Sequence, residues 1–478
     1  MNMGLAIYAA ISMILRKKNP IKTLSWVIVL ILLPYVGVIF YLFFGRNTRK
    51  KKIFSRKGIG DYKLRQSLST NQVELLKRNP ELLGEELLPF KKIIFQNLKN
   101  SSTHIEHNSN IEFFFSGKLA LDAMYKQIDL AEQHIHLQSY ILTDDTIGRK
   151  FRDLLIEKAK GGVEVRVMYD GVGSLSLSKE FIKPMQSAGI EVLVFSPIKI
   201  FSIKFLLNYR NHRKILIIDG KIGFLGGVNI ADRYYYGTSF GEWRDTHIMV
   251  KGETVFSLQA SFLLDRYFVL NRKIKRWKKY YPIFDIINNT DSEQFKPFYS
   301  QTITSGPDSS WASIMQCYFT AITGAKEHIY IVTPYFTPNE TILDALKIAA
   351  LGNVDVRLMI PDKSDTKLVH WCTMSYVNEL LEAGVKIYLF KKGFNHSKVI
   401  SIDGQMCIVG SANMDMRSFE HNFEIMSIIY NSPCASTIEK QFVKDCNRCT
   451  IVNINKWKRR PLNSKIKESL ARLCSPLL

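Results

Sequence analysis

Two histidines, each two residues before a lysine, are equipped to handle a phosphodiester: His212 with Lys214, and His396 with Lys398. At matching distances an aspartate follows, Asp219 and Asp403. Then come two small-residue turns ending in asparagine, Gly226-Gly227-Val228-Asn229 and Gly410-Ser411-Ala412-Asn413. A lone His-x-Lys means little. The same constellation twice points to one site assembled from two halves. On extended backbone, residues two apart face the same way, so each histidine shares a face with its lysine. Two lysines would neutralise the non-bridging oxygens of a phosphodiester, with Asn229, Asn413 and Ser411 adding donors at the turns. One histidine can attack phosphorus to give a phosphohistidine. The other can protonate the departing alkoxide and then deprotonate the incoming hydroxyl. An acid must hold each ring's tautomer. Asp219 and Asp403 belong to the motifs, while Asp245 and Glu424 follow the turns, and spacing leaves both sets open. The chemistry calls for no metal and no other cofactor.

The elements that must position these groups are repeated too. Residues 132–140 match 327–335, 163–168 match 354–359, and 188–195 match 383–390, each pair reading as an apolar strand after a helix. Strands alternating with helices at this spacing predict α/β units with mixed sheets flanked by helices. The two pseudo-repeated domains are expected over 110–295 and 296–478, sharing one central site, with 46–109 as a basic juxtamembrane segment and linker. One difference between the halves is informative. Phe195 precedes His212 by 17 residues, whereas Phe390 precedes His396 by only six. The extra residues fall within 196–210, an apolar and basic stretch without an acid. It reads either as a helix packed on the first domain or as the wall of a lipid-entry groove carrying Phe201, Phe205 and Leu206.

The first 45 residues hold two apolar segments, 1–15 and 24–44. The second has 21 uncharged residues, enough for a helix to cross a hydrocarbon core of about 30 Å, and it is the surer span. Seven basic residues follow it between 46 and 57, against four in the connector between the segments. That bias predicts a multi-pass protein of the cell membrane with its catalytic domains on the cytoplasmic side. The chain of 478 residues carries a net charge of +22, which implies an anionic partner, nucleic acid or an acidic lipid surface. In a membrane-anchored chain anionic lipid is the expected partner, and no nucleic acid is expected. The seven scattered cysteines, Cys446 and Cys449 among them, read as free thiols in a reducing compartment. Two peripheral features complete the chain. Residues 272–281 interleave Lys and Arg with aromatics, as a headgroup contact or a solvated helix end would. Near the C-terminus Ile466, Leu470 and Leu473 form one helical stripe with Lys465, Lys467 and Arg472 around it, which reads as docking on the second domain's core in preference to contact with a membrane.

The paired motifs, His212, Lys214 and Asp219 with His396, Lys398 and Asp403, resemble those of the phospholipase D superfamily. Within it the chain is similar to bacterial cardiolipin synthases. Blocks at 33–37, 41–45, 208–214, 226–232 and 243–247 carry that similarity, as do Arg417, Asn422 and Glu424 and the closing residues 473–478. Gly227 departs from it, standing where the second half has Ser411. The resemblance implies transfer of a phosphatidyl group between two phosphatidylglycerol molecules, giving cardiolipin and glycerol, with His212 as the nucleophile. Residues alone leave the acceptor open, so hydrolysis or transfer to another alcohol stands as the alternative. A non-catalytic anchor for anionic lipid or DNA is the rival from another class, and two complete motifs speak against it.

Overall fold

The computed structural model describes residues 60–195, 209–239, 241–272, 277–282 and 297–477, together with 11, 24 and 27–31. Arg56–Ile200 and Leu206–Leu478 form one compact unit. The two apolar segments expected to span a membrane lie almost wholly outside the described residues, as do 196–208 and residues 273–276 of the basic run. Among the described residues no helix is long and apolar enough to cross a membrane.

The first half contributes β1 (Glu106–Phe114), β2 (His134–Ser139), β3 (Glu164–Asp170), β4 (Glu191–Phe195), β5 (Ile215–Ile218), β6 (Ile222–Gly226), β7 (Trp243–Arg244) and β8 (His247–Gly252). The second contributes β9 (Phe298–Ser305), β10 (His328–Val332), β11 (Phe336–Thr337), β12 (Asp355–Pro361), β13 (Lys386–Phe390), β14 (Phe394–Asn395), β15 (Val399–Ile402), β16 (Met406–Gly410), β17 (Met414–Asp415), β18 (Glu424–Tyr430) and β19 (Cys449–Ile451). Fifteen of these make one continuous sheet, in the order β19-β13-β12-β10-β15-β16-β18-β9-β1-β8-β6-β5-β2-β3-β4. The halves meet at its middle, where β1 pairs antiparallel with β9. Within each half the three predicted strands lie parallel and adjacent, β2-β3-β4 and β10-β12-β13. They are joined by helices, as parallel neighbours require.

Local sequence explains why those helices start where they do. Asp145 accepts the Gly148 N–H at 2.9 Å to cap helix Thr146–Lys160, and Asn339 accepts the Ile342 N–H at 3.1 Å to cap Glu340–Leu351. Their apolar faces cover the sheet. Ile147, Phe151, Leu154 and Leu155 pack in one core, and Ile342, Leu343 and Leu346 in the other. Every residue of β2 is buried although its sequence alternates, because His136 and Gln138 on its polar face meet Gln259 and Asp265 of helix Thr254–Leu270.

Residues 46–109 are more than a linker. Val73, Leu76, Leu87, Ile93, Ile94 and Leu98 from that stretch are buried in the same core as Ile303, Ile314 and Tyr318 of the second half. Asn97 donates to Gln301 at 3.2 Å, fixing helix Lys91–Asn100 on β9. The first half begins earlier than position 110, since β1 starts at Glu106. The C-terminal stripe also departs from expectation: Ile466, Leu470 and Leu473 lie exposed, while Glu468 and Ala471 face inward. Arg472 with Glu379 at 2.6 Å and the buried Ala471 dock this helix, while Arg460 pairs with Glu468 within the same C-terminal stretch.

Candidate active site

Each histidine enters the site on a short extended segment just before a central strand, β5 for His212 and β15 for His396. Those segments cross to the opposite half. The His212 N–H donates to the Phe423 carbonyl at 3.0 Å, and the His396 N–H to the Arg244 carbonyl at 2.7 Å. Asn395 pairs with Arg244 in a parallel two-stranded ribbon, β14 with β7. The residue after each of those acceptors is the acid that meets the ring. His212 Nδ1 lies 2.9 Å from Glu424 Oε1, and His396 Nδ1 lies 2.8 Å from Asp245 Oδ2. Of the two acid sets that spacing left open, the geometry selects Asp245 and Glu424, each acting across the boundary between halves. Engaging Nδ1 leaves Nε2 as the ring nitrogen available for chemistry.

Asp219 and Asp403 are elsewhere. Each sits beyond the far end of its strand, about 16 Å along the chain from its lysine at ~3.3 Å per residue. Asp219 accepts backbone N–H groups from Glu132, Gln133 and His134, and Asp403 accepts them from Lys326, Glu327 and His328, all within 2.9 Å. Both have positive φ, 53° and 52°, and each precedes a positive-φ glycine, Gly220 or Gly404. With Lys221 N–H on Ile218 O and Gln405 N–H on Ile402 O, these are type I′ hairpin turns. The expectation that these aspartates are catalytic is corrected: they join the hairpin to the start of β2 and β10.

Ser411 is corrected likewise. It is fully buried, its hydroxyl donates to Glu424 at 2.5 Å, and it accepts the Ile425 N–H at 3.0 Å. It therefore braces the acid that meets His212, and it does not line the cleft between the halves. The Gly227 departure has a matching cause. A Cβ there would stand 2.1 Å from Asp245 Oδ1, so the first half keeps glycine to admit the carboxylate.

A cleft of about 310 Å³ opens between the halves. His212, His396, Asn229 and Asn413 line it. Both lysines are buried but do not line it: Lys214 and Lys398 each donate to the carbonyl of their own histidine at 2.6 Å. They act on the site as charges set behind the rings. Sequence reading did not assign to the site three arginines of the wall, Arg210, Arg233 and Arg417, though Arg210 and Arg417 fall in blocks that carry the family resemblance, nor two tyrosines, Tyr140 and Tyr335. Two signals were there to read. Arg233 and Arg417 each follow their asparagine by four residues, and Tyr140 and Tyr335 close the first matched segment in each half.

The electrostatics of the two acid–histidine pairs differ. Burial lowers His212, offset partly by Glu424. Glu424 itself stays below the ordinary carboxylate value: burial opposes its ionisation, but His212, Lys214 and the Ser411 hydroxyl outweigh it. His396 is held well below its usual value, first by burial and then by Lys398 and Lys214. Burial pushes Asp245 up to about 6 against the pull of Lys398, and brings Lys398 down to about 8. Such a crowd of buried cations suits a guest that carries negative charge.

A sheet running through two repeated halves, with one histidine–acid pair shared each way, defines a two-domain phospholipase D-like protein. The family described as cardiolipin synthase, phospholipase D-like domain matches residues 124–257 and 318–446, and the phospholipase D-nuclease N-terminal family matches 4–46. Cardiolipin synthase of Halalkalibacterium halodurans is 39% identical over 473 residues, covering 99% of this chain and 92% of that one. That of Oceanobacillus iheyensis is 39% identical over 480 residues, covering 99% and 97%. Among solved structures, phosphatidylserine synthase of Haemophilus influenzae matches with a TM-score of 0.60 at 14% identity, covering 81% of this chain and 100% of that one; this likeness is one of fold. The chain belongs to the cardiolipin synthase family.

Proposed function

We propose that the protein transfers a phosphatidyl group from one phosphatidylglycerol to the hydroxyl of another, releasing glycerol and forming cardiolipin. The reciprocal bracing of His212 by Glu424 and of His396 by Asp245 carries this reading, together with the family. It supplies two ring nitrogens of fixed tautomer at one cleft, which a two-step displacement at phosphorus needs. In the first step Nε2 of His212 forms a bond to phosphorus and the bond to the glycerol oxygen breaks. His396 gives its proton to that oxygen. In the second step His396 takes the proton of the incoming hydroxyl, whose oxygen replaces the histidine on phosphorus. The ionised Glu424 supports His212 as the nucleophile. The phosphodiester's own charge offsets Lys214 and Lys398, and so lets His396 hold the proton it must donate. Arg210, Arg233 and Arg417 face the same anion.

Membrane association accompanies this family. Segments 1–15 and 24–44 serve in our reading as its spans, with the catalytic halves on the cytoplasmic side, and the match of the N-terminal family to 4–46 supports such a module. In the same reading the first half runs from about 106 and the second from about 297, which the starts of β1 and β9 support. Labelled phosphatidylglycerol supplied to the full-length protein tests the function. Cardiolipin and free glycerol in equal amounts are expected, and phosphatidic acid without cardiolipin overturns the assignment in favour of hydrolysis.

A further inference from the structure

The helix Leu462–Arg472 is built inside out for a soluble surface. Its buried positions are Glu468 and Ala471, whereas Leu462, Ile466, Leu470 and, just beyond it, Leu473 are 71, 46, 60 and 77% exposed. These four recur at steps of four, four and three, so they form one stripe along one face. Leaving them in water gains nothing for folding, since the helix is held from its other side by the buried Ala471 and by Arg472 with Glu379.

Charge says what covers the stripe. Residues 456–474 contain seven basic side chains and one acid, Glu468, which is already paired with Arg460. Lys465 and Lys467 are exposed on the same helix as the stripe, and Lys456, Lys458 and Arg459 are exposed just before it, Lys458 pairing with Glu382 at 2.8 Å. A leucine stripe bordered by lysines is the signature of a helix lying in the interface of an anionic monolayer.

Position ties the helix to the cleft. It packs along helix Lys367–Ser375, whose Val369 lines the cleft and whose Leu368 is partly exposed. The following turn, Ser475–Leu477, packs on helix Met416–Glu420, which carries the cleft residue Arg417. We propose that Leu462–Arg472 and Leu473 dock in the leaflet of an anionic phospholipid membrane, and so hold the cleft against the surface that supplies its lipids. The choice of occupant rests on the phospholipid substrate proposed above.

Two measurements on the full chain test this. The double variant Leu470→Gln/Leu473→Gln is compared with the parent on phosphatidylglycerol vesicles and on a short-chain phosphatidylglycerol kept monomeric. The vesicle concentration giving half-maximal rate should rise about tenfold or more, with the rate on monomeric lipid unchanged. Equal loss on both, or no change on either, overturns the proposal. Should the parent turn over neither lipid, the assigned function fails instead, and a second readout independent of activity decides the docking. Leu470→Trp should be quenched beyond the parent by bilayers of bromine-labelled phosphatidylglycerol. Absence of added quenching overturns docking. So does a concentration-dependent dimer abolished by the double variant, which would make the occupant a second copy.

Discussion

The Nδ1 atom of His396 lies 2.8 Å from a carboxylate oxygen of Asp245, a residue 151 positions earlier in the other half of the sheet. With the reciprocal contact from His212 to Glu424, it makes each half supply the other's tautomer control. Neither half completes a histidine–acid pair alone. The same crossing uses backbone, since each histidine's N–H is accepted by the residue just before the opposing acid.

Asp245→Asn should leave the fold intact and lower kcat by about 10³–10⁴, the cost of presenting an amide where a carboxylate fixes the proton on Nδ1. Rates on phosphatidylglycerol, set beside circular dichroism of both proteins, check it. A loss under tenfold would mean that Asp245 does not orient His396.

Because burial pushes Asp245 up to about 6, its protonation removes the acceptor for His396 within an accessible range. Turnover should fall as pH drops through about 6. A kcat profile with no acid limb between pH 5 and 7 contradicts this.

Stability should fall on the acid side as well. His134, His136, His212, His247, His370 and His396 are all lowered, first by burial. Each stays neutral in the fold but takes a proton in the unfolded chain below about pH 6.5, so the unfolded state binds more protons. Their contribution is full above about pH 6.5 and lost as pH falls below it. Asp245 and Asp415, both raised by burial in the fold, oppose this trend between their unfolded value and about 6. Six groups outweigh two, and Tm followed from pH 8 to 5 should decline.

Gly227→Ser should damage activity by about 10² or more, because its Cβ would occupy the space of Asp245 Oδ1. Ser411→Ala, the converse change in the other half, removes one hydrogen bond to Glu424 and should cost only about tenfold, roughly 1.5 kcal/mol. Parallel kinetics decide it. Equal effects would deny the asymmetry between the two acid sites.

Asp403→Ala should act on folding more than on chemistry. Three backbone N–H groups lose their acceptor, and alanine takes a positive φ, together costing about 2–4 kcal/mol. Urea unfolding measures the loss. A kcat reduced by more than tenfold in the folded fraction would return Asp403 to the chemistry.

The paired motifs were legible because they are local: a histidine two residues before a lysine, an Asp-Gly hairpin and a small-residue turn are all set by short-range spacing. So were the repeated strands, marked by apolar residues at matching places in the two halves. The role of Asp219 and Asp403 was misread although Asp-Gly is the strongest hairpin signal, since membership in a motif was taken as membership in the site. The docking of residues 73–98 on the second half could not be read, because an apolar helix face does not state what it meets.

Sequence by itself determined which residues could handle a phosphodiester, that they come in two sets, and that strands and helices would present them. Only tertiary structure decided that Glu424 serves His212 and Asp245 serves His396. Contacts across 212 and 151 positions depend on how β1 and β9 join the halves, and chain spacing carries no record of that pairing. It also decided that the lysines stand behind the rings, that Ser411 holds an acid, and that Ile466, Leu470 and Leu473 point outward. Each follows from which neighbours occupy a shared volume, a property of the packed molecule and not of any segment.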